Sequence, residues 1–160
     1  MQDPVVAQRE TLVRQRLSGV NWFVWIAGLS LVNTVINAFG MDRHFPIGLG
    51  ITEVIDGALS EQAMNVRIVG FVIDAILAGL FLGIWRLSAK RRWPIVIGMI
   101  IYFLDGGIYL IAQDWLGVGL HAWALVSIFS GLRAAGRLEE MAIITMMPNT
   151  TPVAPLIETT

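Results

Sequence analysis

The sequence predicts an all-α integral membrane protein, built as a bundle of four transmembrane helices. Of its 160 residues, 56% are hydrophobic and 14% are charged, whereas about 25% of the residues of a soluble domain are charged. Four apolar stretches each approach the length of about 20 helical residues that crosses the hydrocarbon core of a bilayer. The chain has no cysteine, which excludes disulfides, a thiolate nucleophile and cysteine-based metal sites.

The four spans form a membrane domain over residues 19–135, and both flanking segments are predicted to lie outside the hydrocarbon. Residues 1–18 are expected to form an amphipathic helix at the membrane surface, and residues 136–160 a tail. Trp93-Pro94 is typical of a helix start, because proline is well tolerated in a first turn. The spans are predicted at about residues 20–40, 67–85, 94–112 and 117–133.

Lysine and arginine predict the direction of the spans. Nine of the eleven basic residues flank the ends that would share one membrane face, and only Arg43 and Arg67 lie on the other side. The positive-inside rule makes the first face cytoplasmic. We therefore expect both termini inside, in what is best interpreted as a bacterial inner membrane. The nine residues are Arg9, Arg14, Arg16, Arg86, Lys90, Arg91, Arg92, Arg133 and Arg137.

The first outer loop contains a short apolar segment, IGLGITEVIDGAL. It is too short to cross a membrane and too apolar for a solvated loop. The pattern predicts an amphipathic or re-entrant helix over the bundle. Glu53 and Asp56 would share one face of that helix.

Two aspartates lie inside predicted spans, Asp74 in the second and Asp105 in the third. An aspartate at the centre of a spanning helix costs about 2.5–3.5 kcal/mol, so it is expected to face protein or water. Because the two spans run in opposite directions, both aspartates should lie about two turns below the outer surface. The sequence does not give the distance between them.

Other polar side chains fall at a similar level and complete a candidate ligand site. Tyr102 and Tyr109 flank Asp105 at positions i−3 and i+4, so both phenols can turn to its side of the helix. The full predicted set, on four spans and the outer loop, is Asn33, Asn37, Glu53, Asp56, Asp74, Asp105, Tyr102, Tyr109 and His121.

Glycine spacing predicts close helix packing in the second span. Gly70, Asp74 and Ala78 form one row of small residues, and Gly79 and Gly83 form another. Such rows let the backbones of two helices approach each other. Gly106-Gly107, directly after Asp105, favours either helix packing or a local kink.

The lead hypothesis is a non-enzymatic membrane protein that binds a cation or small polar ligand in an outward-facing acidic pocket. Transport, sensing and an accessory role in a membrane complex all remain open. One alternative is an intramembrane hydrolase with Asp74 and Asp105 as its acid and base. Another is a purely structural subunit among other membrane chains. We expect the lipid bilayer as partner and no cofactor. The net charge of −1 gives no reason to expect nucleic acid. No metal is expected, because no metal-ligand spacing such as HExxH is present.

Overall fold

The computed structural model describes residues 3–38, 48–59 and 64–146, with the side chains of residues 37, 38, 56 and 64–67 left out of the description. Every regular element in these ranges is a helix, and none is a strand. The helices are α1 (Pro4–Ala38), α2 (Gly50–Leu59), α3 (Met64–Ser88), α4 (Trp93–Ile111) and α5 (Trp115–Met146).

Four of these helices are long and apolar enough to cross a membrane, namely α1, α3, α4 and α5. The prediction of an all-helical protein with four potential membrane spans is thereby confirmed. Between the first two spans lies the ten-residue α2. The N-terminus of α2 lies at the level of Asp105 in α4. Asp105 is six residues before the end of α4, which is a distance of about 9 Å along the helix axis.

The first and last helices are longer than a bilayer requires. α1 has 35 residues and α5 has 32, so each is about 50 Å long at about 1.5 Å per residue. The N-terminal segment is continuous with the first span as one helix. Likewise, α5 runs on through the charged residues that follow Arg133.

Contacts at both ends show that α1 and α3 are antiparallel. At one end the Arg16 guanidinium donates to the carbonyl oxygen of Ser88 at 2.6 Å. At the other end Thr34 Oγ1 lies 3.0 Å from Asp74 Oδ2. We call the end that contains Arg16 and Ser88 the terminal end, because the start of α1 and the end of α5 both lie there. The opposite end, which contains α2, is the α2 end.

The core contains a row of three aromatic rings and two close contacts that involve glycine. Phe23, Phe81 and Tyr102 follow one another at centroid separations of 6.0 and 6.4 Å. A Cβ atom on Gly98 would lie 2.6 Å from the ring of Phe23, so a larger residue there would force the neighbouring side chains to move. A Cβ atom on Gly19 would lie 2.7 Å from the Cα atom of Gly131. The backbones of α1 and α5 are therefore in direct contact where the two helices cross.

The two small-residue rows of α3 have different environments. Gly70, Asp74 and Ala78 are buried, and a Cβ atom on Gly70 would lie 2.8 Å from Leu59 of α2. By contrast, a Cβ atom on Gly79 or Gly83 would meet no atom of the described residues within 4 Å. The row at Gly79 and Gly83 lies on the outward face of α3, so no described helix of this chain packs against it, and close packing of a helix along this row stays a prediction.

Gly106 and Gly107 do not interrupt α4, which continues to Ile111. A Cβ atom on Gly106 would lie 3.3 Å from the His121 ring, whereas one on Gly107 would meet nothing. The sequence left open whether these glycines serve helix packing or a local kink. The structure shows helix packing, and it occurs at Gly106.

Candidate functional site

The segment that leads into α2 is fixed to α1 through Ser30. The backbone N–H of Leu49 donates to Ser30 Oγ at 2.8 Å, and the Ser30 hydroxyl donates to the carbonyl oxygen of Ile26 at 2.8 Å. Thr52 Oγ1 donates back to the carbonyl oxygen of Leu49 at 2.7 Å. Ser30, Leu49 and Thr52 are all buried, so the start of α2 lies against the bundle.

Asp105 caps α2 from a different helix. The first N–H groups of a helix lack internal partners and are usually capped by a nearby serine, threonine, aspartate or asparagine. Here the preceding residue is the apolar Leu49. The N–H of Gly50 donates to Asp105 Oδ2 at 2.8 Å, and the N–H of Ile51 donates to Oδ1 at 3.0 Å. The carboxylate thus stabilises the positive end of the α2 dipole.

His121 of α5 joins the same carboxylate. Its Nε2 atom lies 3.2 Å from Asp105 Oδ2, and its Nδ1 atom lies 3.0 Å from the carbonyl oxygen of Gly117. A carbonyl oxygen only accepts, so Nδ1 must donate. The contact between Nε2 and Oδ2 then needs a second proton, which belongs either to the ring or to the carboxyl group. Asp105 is therefore in contact with α5 as well as with α2.

Two tyrosines enclose the histidine ring. Tyr102 stacks on His121 with a centroid separation of 4.3 Å and an interplanar angle of 16°, and Tyr109 lies 4.6 Å away on a tilted plane. Two glycines make room for Tyr109. A Cβ atom on Gly50 would lie 2.7 Å from its ring, and one on Gly117 would overlap it.

Glu53 extends this arrangement towards the surface. The Tyr109 hydroxyl donates to Glu53 Oε1 at 2.7 Å, and Asn33 Nδ2 lies 3.4 Å from the same oxygen. Glu53 is partly exposed, whereas Asn33 and Tyr109 are buried. Hydrogen bonds and ring contacts thus link α1, α2, α4 and α5. We call this set the polar cluster: Asn33, Glu53, Asp105, Tyr109 and His121.

Asp74 is bound elsewhere, to α1. Its side chain is fully buried, and its Oδ2 atom lies 3.0 Å from Thr34 Oγ1. Thr34 Oγ1 also lies 3.1 Å from the carbonyl oxygen of Ser30, one turn earlier in the same helix. Asp105 bonds α2 and α5 instead.

Of the nine residues predicted for the site, five form the polar cluster and Tyr102 stacks against it. Asp74 pairs with Thr34, while the side chains of Asn37 and Asp56 lie outside the described residues. Ser30 was predicted to belong to a polar stripe of the first span, but not to bind the Leu49 N–H. Thr34 and the α2 backbone were not predicted as the partners of Asp74 and Asp105. An apolar residue directly before a short helix was the available signal, because such a helix needs a cap from elsewhere.

Within the described ranges, no group of three or more histidine and acidic side chains is placed to hold a metal ion. The chain matches no protein-family model, and comparisons with curated proteins and with solved structures give no significant match. Fold and site together define a class: a small helical protein with four potential membrane spans and a buried polar cluster at one end.

Proposed function

We propose that this is a bacterial inner-membrane protein that binds a cation or a small cationic or polar ligand at the α2 end. Both termini are placed in the cytoplasm and the α2 end outside. Support for this orientation comes from the positive-inside rule, because the nine basic residues named above all belong to the terminal end. The bound ligand would serve transport, sensing or an accessory role in a membrane complex.

The observation that supports the proposal most strongly is the pair of hydrogen bonds from the α2 backbone to Asp105. A serine or aspartate at position 49 would cap α2 locally. The chain has Leu49 there and takes its cap from a spanning helix, where an acidic residue is expensive. Capping alone also does not require His121. We infer that the position of α2 is coupled to charge inside the bundle, which a ligand-responsive element needs.

Glu53 is the group through which a ligand would act. It belongs to the first turn of α2, and it is the partly exposed member of the polar cluster. A cationic group that bound its carboxylate would compete with the donors of Tyr109 and Asn33. The Tyr109 side chain bonds Glu53 and also contacts the His121 ring. Binding of a ligand at Glu53 would therefore affect the Asp105–His121 pair through Tyr109.

The proposal is tested by thermal unfolding of the detergent-purified protein during titration with sodium, potassium, magnesium, choline and putrescine. A ligand that binds only the folded state stabilises it by about 2.7 kcal/mol at a concentration of about 100 Kd. We expect at least one of these cations to raise the Tm, and Glu53→Gln to abolish the rise. Glu140→Gln is the matched control, because this exposed carboxylate lies beyond Arg133 at the terminal end. If no cation acts, or if Glu53→Gln responds like the wild type, the proposal is wrong.

A second candidate, a subunit of a larger membrane assembly, is favoured by the outward face of α3. Ala75, Gly79 and Gly83 form an exposed row at one-turn intervals, with open space at both glycines. A helix of another membrane chain could pack closely along such a row. Gly79→Leu with Gly83→Leu would then abolish co-purification of a stoichiometric partner, whereas Gly107→Leu, also in open space, would retain it.

A further inference from the structure

A polar groove lies between α1 and α5 at the terminal end, far from the polar cluster. Its volume is about 260 Å³. It is lined by four side chains that donate hydrogen bonds or carry positive charge, and by three apolar residues. The polar and charged lining residues are Gln15, Ser130, Arg133 and Arg137, and the apolar ones are Val126, Phe129 and Ala134.

Two arginines give this groove its charge. Arg133 and Arg137 are one helical turn apart on α5, so their side chains are neighbours. The ion pairs of arginines in the described ranges are Glu10–Arg14 and Arg92–Glu139, and neither groove arginine takes part in one. The Arg133 guanidinium lies 5.9 Å from the centre of the Phe129 ring, which holds it at the apolar boundary. These features suit an anion.

An apolar groove begins at the same two residues. It lies between α4 and α5, has a volume of about 350 Å³ and contains only apolar side chains. Val126 and Phe129 belong to both grooves. The other residues that line this apolar groove lie farther from the terminal end. On α5 the lining reaches eight residues before Arg133, a distance of about 12 Å along the helix axis. These deeper residues are Met99, Ile100, Phe103 and Leu125.

We propose that the two grooves together bind one anionic phospholipid. Arg133 and Arg137 hold its phosphate, and one acyl chain lies along the α4–α5 groove. Ser130 Oγ accepts a hydrogen bond from Gln15 Nε2 at 2.7 Å, so the Ser130 hydroxyl can itself donate to the headgroup. Guanidinium groups match phosphate oxygens geometrically, and basic pockets between spanning helices are suited to anionic headgroups. Val126 and Phe129 line both grooves, so one molecule can occupy both. We therefore assign the site to a lipid, because a soluble phosphate would not occupy the apolar groove.

The first test is native mass spectrometry of the full chain after release from nanodiscs of phosphatidylglycerol or phosphatidylcholine. We expect one retained phosphatidylglycerol and no retained phosphatidylcholine. Arg133→Gln with Arg137→Gln should weaken retention about thirtyfold, the scale expected for two basic residues at a membrane surface. The control is Arg86→Gln with Arg91→Gln, which removes the same charge from exposed positions at the same end. Equal loss in both double variants, or retention of both lipids alike, would overturn the proposal.

The second test separates a lipid from a soluble phosphate. Ile100→Trp fills the apolar groove without touching the arginines, so it should also reduce retention of phosphatidylglycerol. Soluble glycerol phosphate should neither displace the lipid nor raise the Tm of the wild type. If glycerol phosphate does both and Ile100→Trp has no effect, the site binds soluble phosphate and the lipid assignment is wrong.

Discussion

Asp105 Oδ2 lies 3.2 Å from His121 Nε2, and both side chains are buried between helices. The same oxygen accepts the N–H of Gly50 at 2.8 Å. One carboxylate of α4 therefore joins α2 and α5. Because both helices contact the same carboxylate, a substitution of Asp105 affects the bonds of α2 and of α5.

Replacing Asp105 with asparagine should loosen α2. The amide keeps the size of the side chain, but its NH₂ group would face the N–H of Gly50 or Ile51, and two donors cannot bond each other. We expect a loss of about 1–3 kcal/mol in the free energy of unfolding, the usual effect of an unsatisfied buried group. Hydrogen exchange should accelerate chiefly in residues 50–59. Unchanged exchange there would show that Asp105 does not hold α2.

His121→Phe separates the ring contacts of this histidine from its hydrogen bonds. Phenylalanine can stack on Tyr102, but it cannot bond Asp105 or the carbonyl oxygen of Gly117. We expect His121→Phe and Asp105→Asn to be non-additive, with a coupling energy of about 0.5–3 kcal/mol. The measurement is a double-mutant cycle of unfolding free energies in detergent. The matched cycle of Asp105→Asn with Glu140→Gln should be additive, and additivity in both cycles would contradict the Asp105–His121 contact.

The four spans were predictable because span length is set by the bilayer and appears directly in hydropathy. The depth of Asp105 followed from the alternating direction of the spans. Its partners did not, since Gly50 is 55 residues away along the chain and its proximity depends on how α2 folds back. Likewise, the two small-residue rows of α3 look alike in sequence. Only the rotation of α3 in the bundle decides that Gly70 is buried and Gly79 is not.

The crossing of α1 and α5 should tolerate no side chain at Gly19. An added Cβ atom would lie 2.7 Å from the Gly131 Cα atom and from the Ser127 carbonyl oxygen, and these backbone atoms cannot rotate away. We expect Gly19→Ala to destabilise the protein by about 1–3 kcal/mol, as overpacking does. Gly79→Ala is the control in a spanning helix and should be close to neutral in the same thermal unfolding assay. If the two variants unfold alike, α1 and α5 do not cross at these glycines.

The proposed orientation gives opposite labelling patterns for two alanines in short connections. Because the chain has no cysteine, a single introduced thiol is the only one available to a maleimide. Ala89 lies between α3 and α4 at the terminal end, Ala112 lies between α4 and α5 at the α2 end, and both are exposed. We expect a membrane-impermeant maleimide to label Ala112→Cys in intact spheroplasts, and to label Ala89→Cys only after permeabilisation. The cytoplasmic connection lies beside Lys90, Arg91 and Arg92, whose retention inside is the physical basis of the orientation. The reverse pattern would place the polar cluster towards the cytoplasm, so that its ligand would have to come from inside the cell.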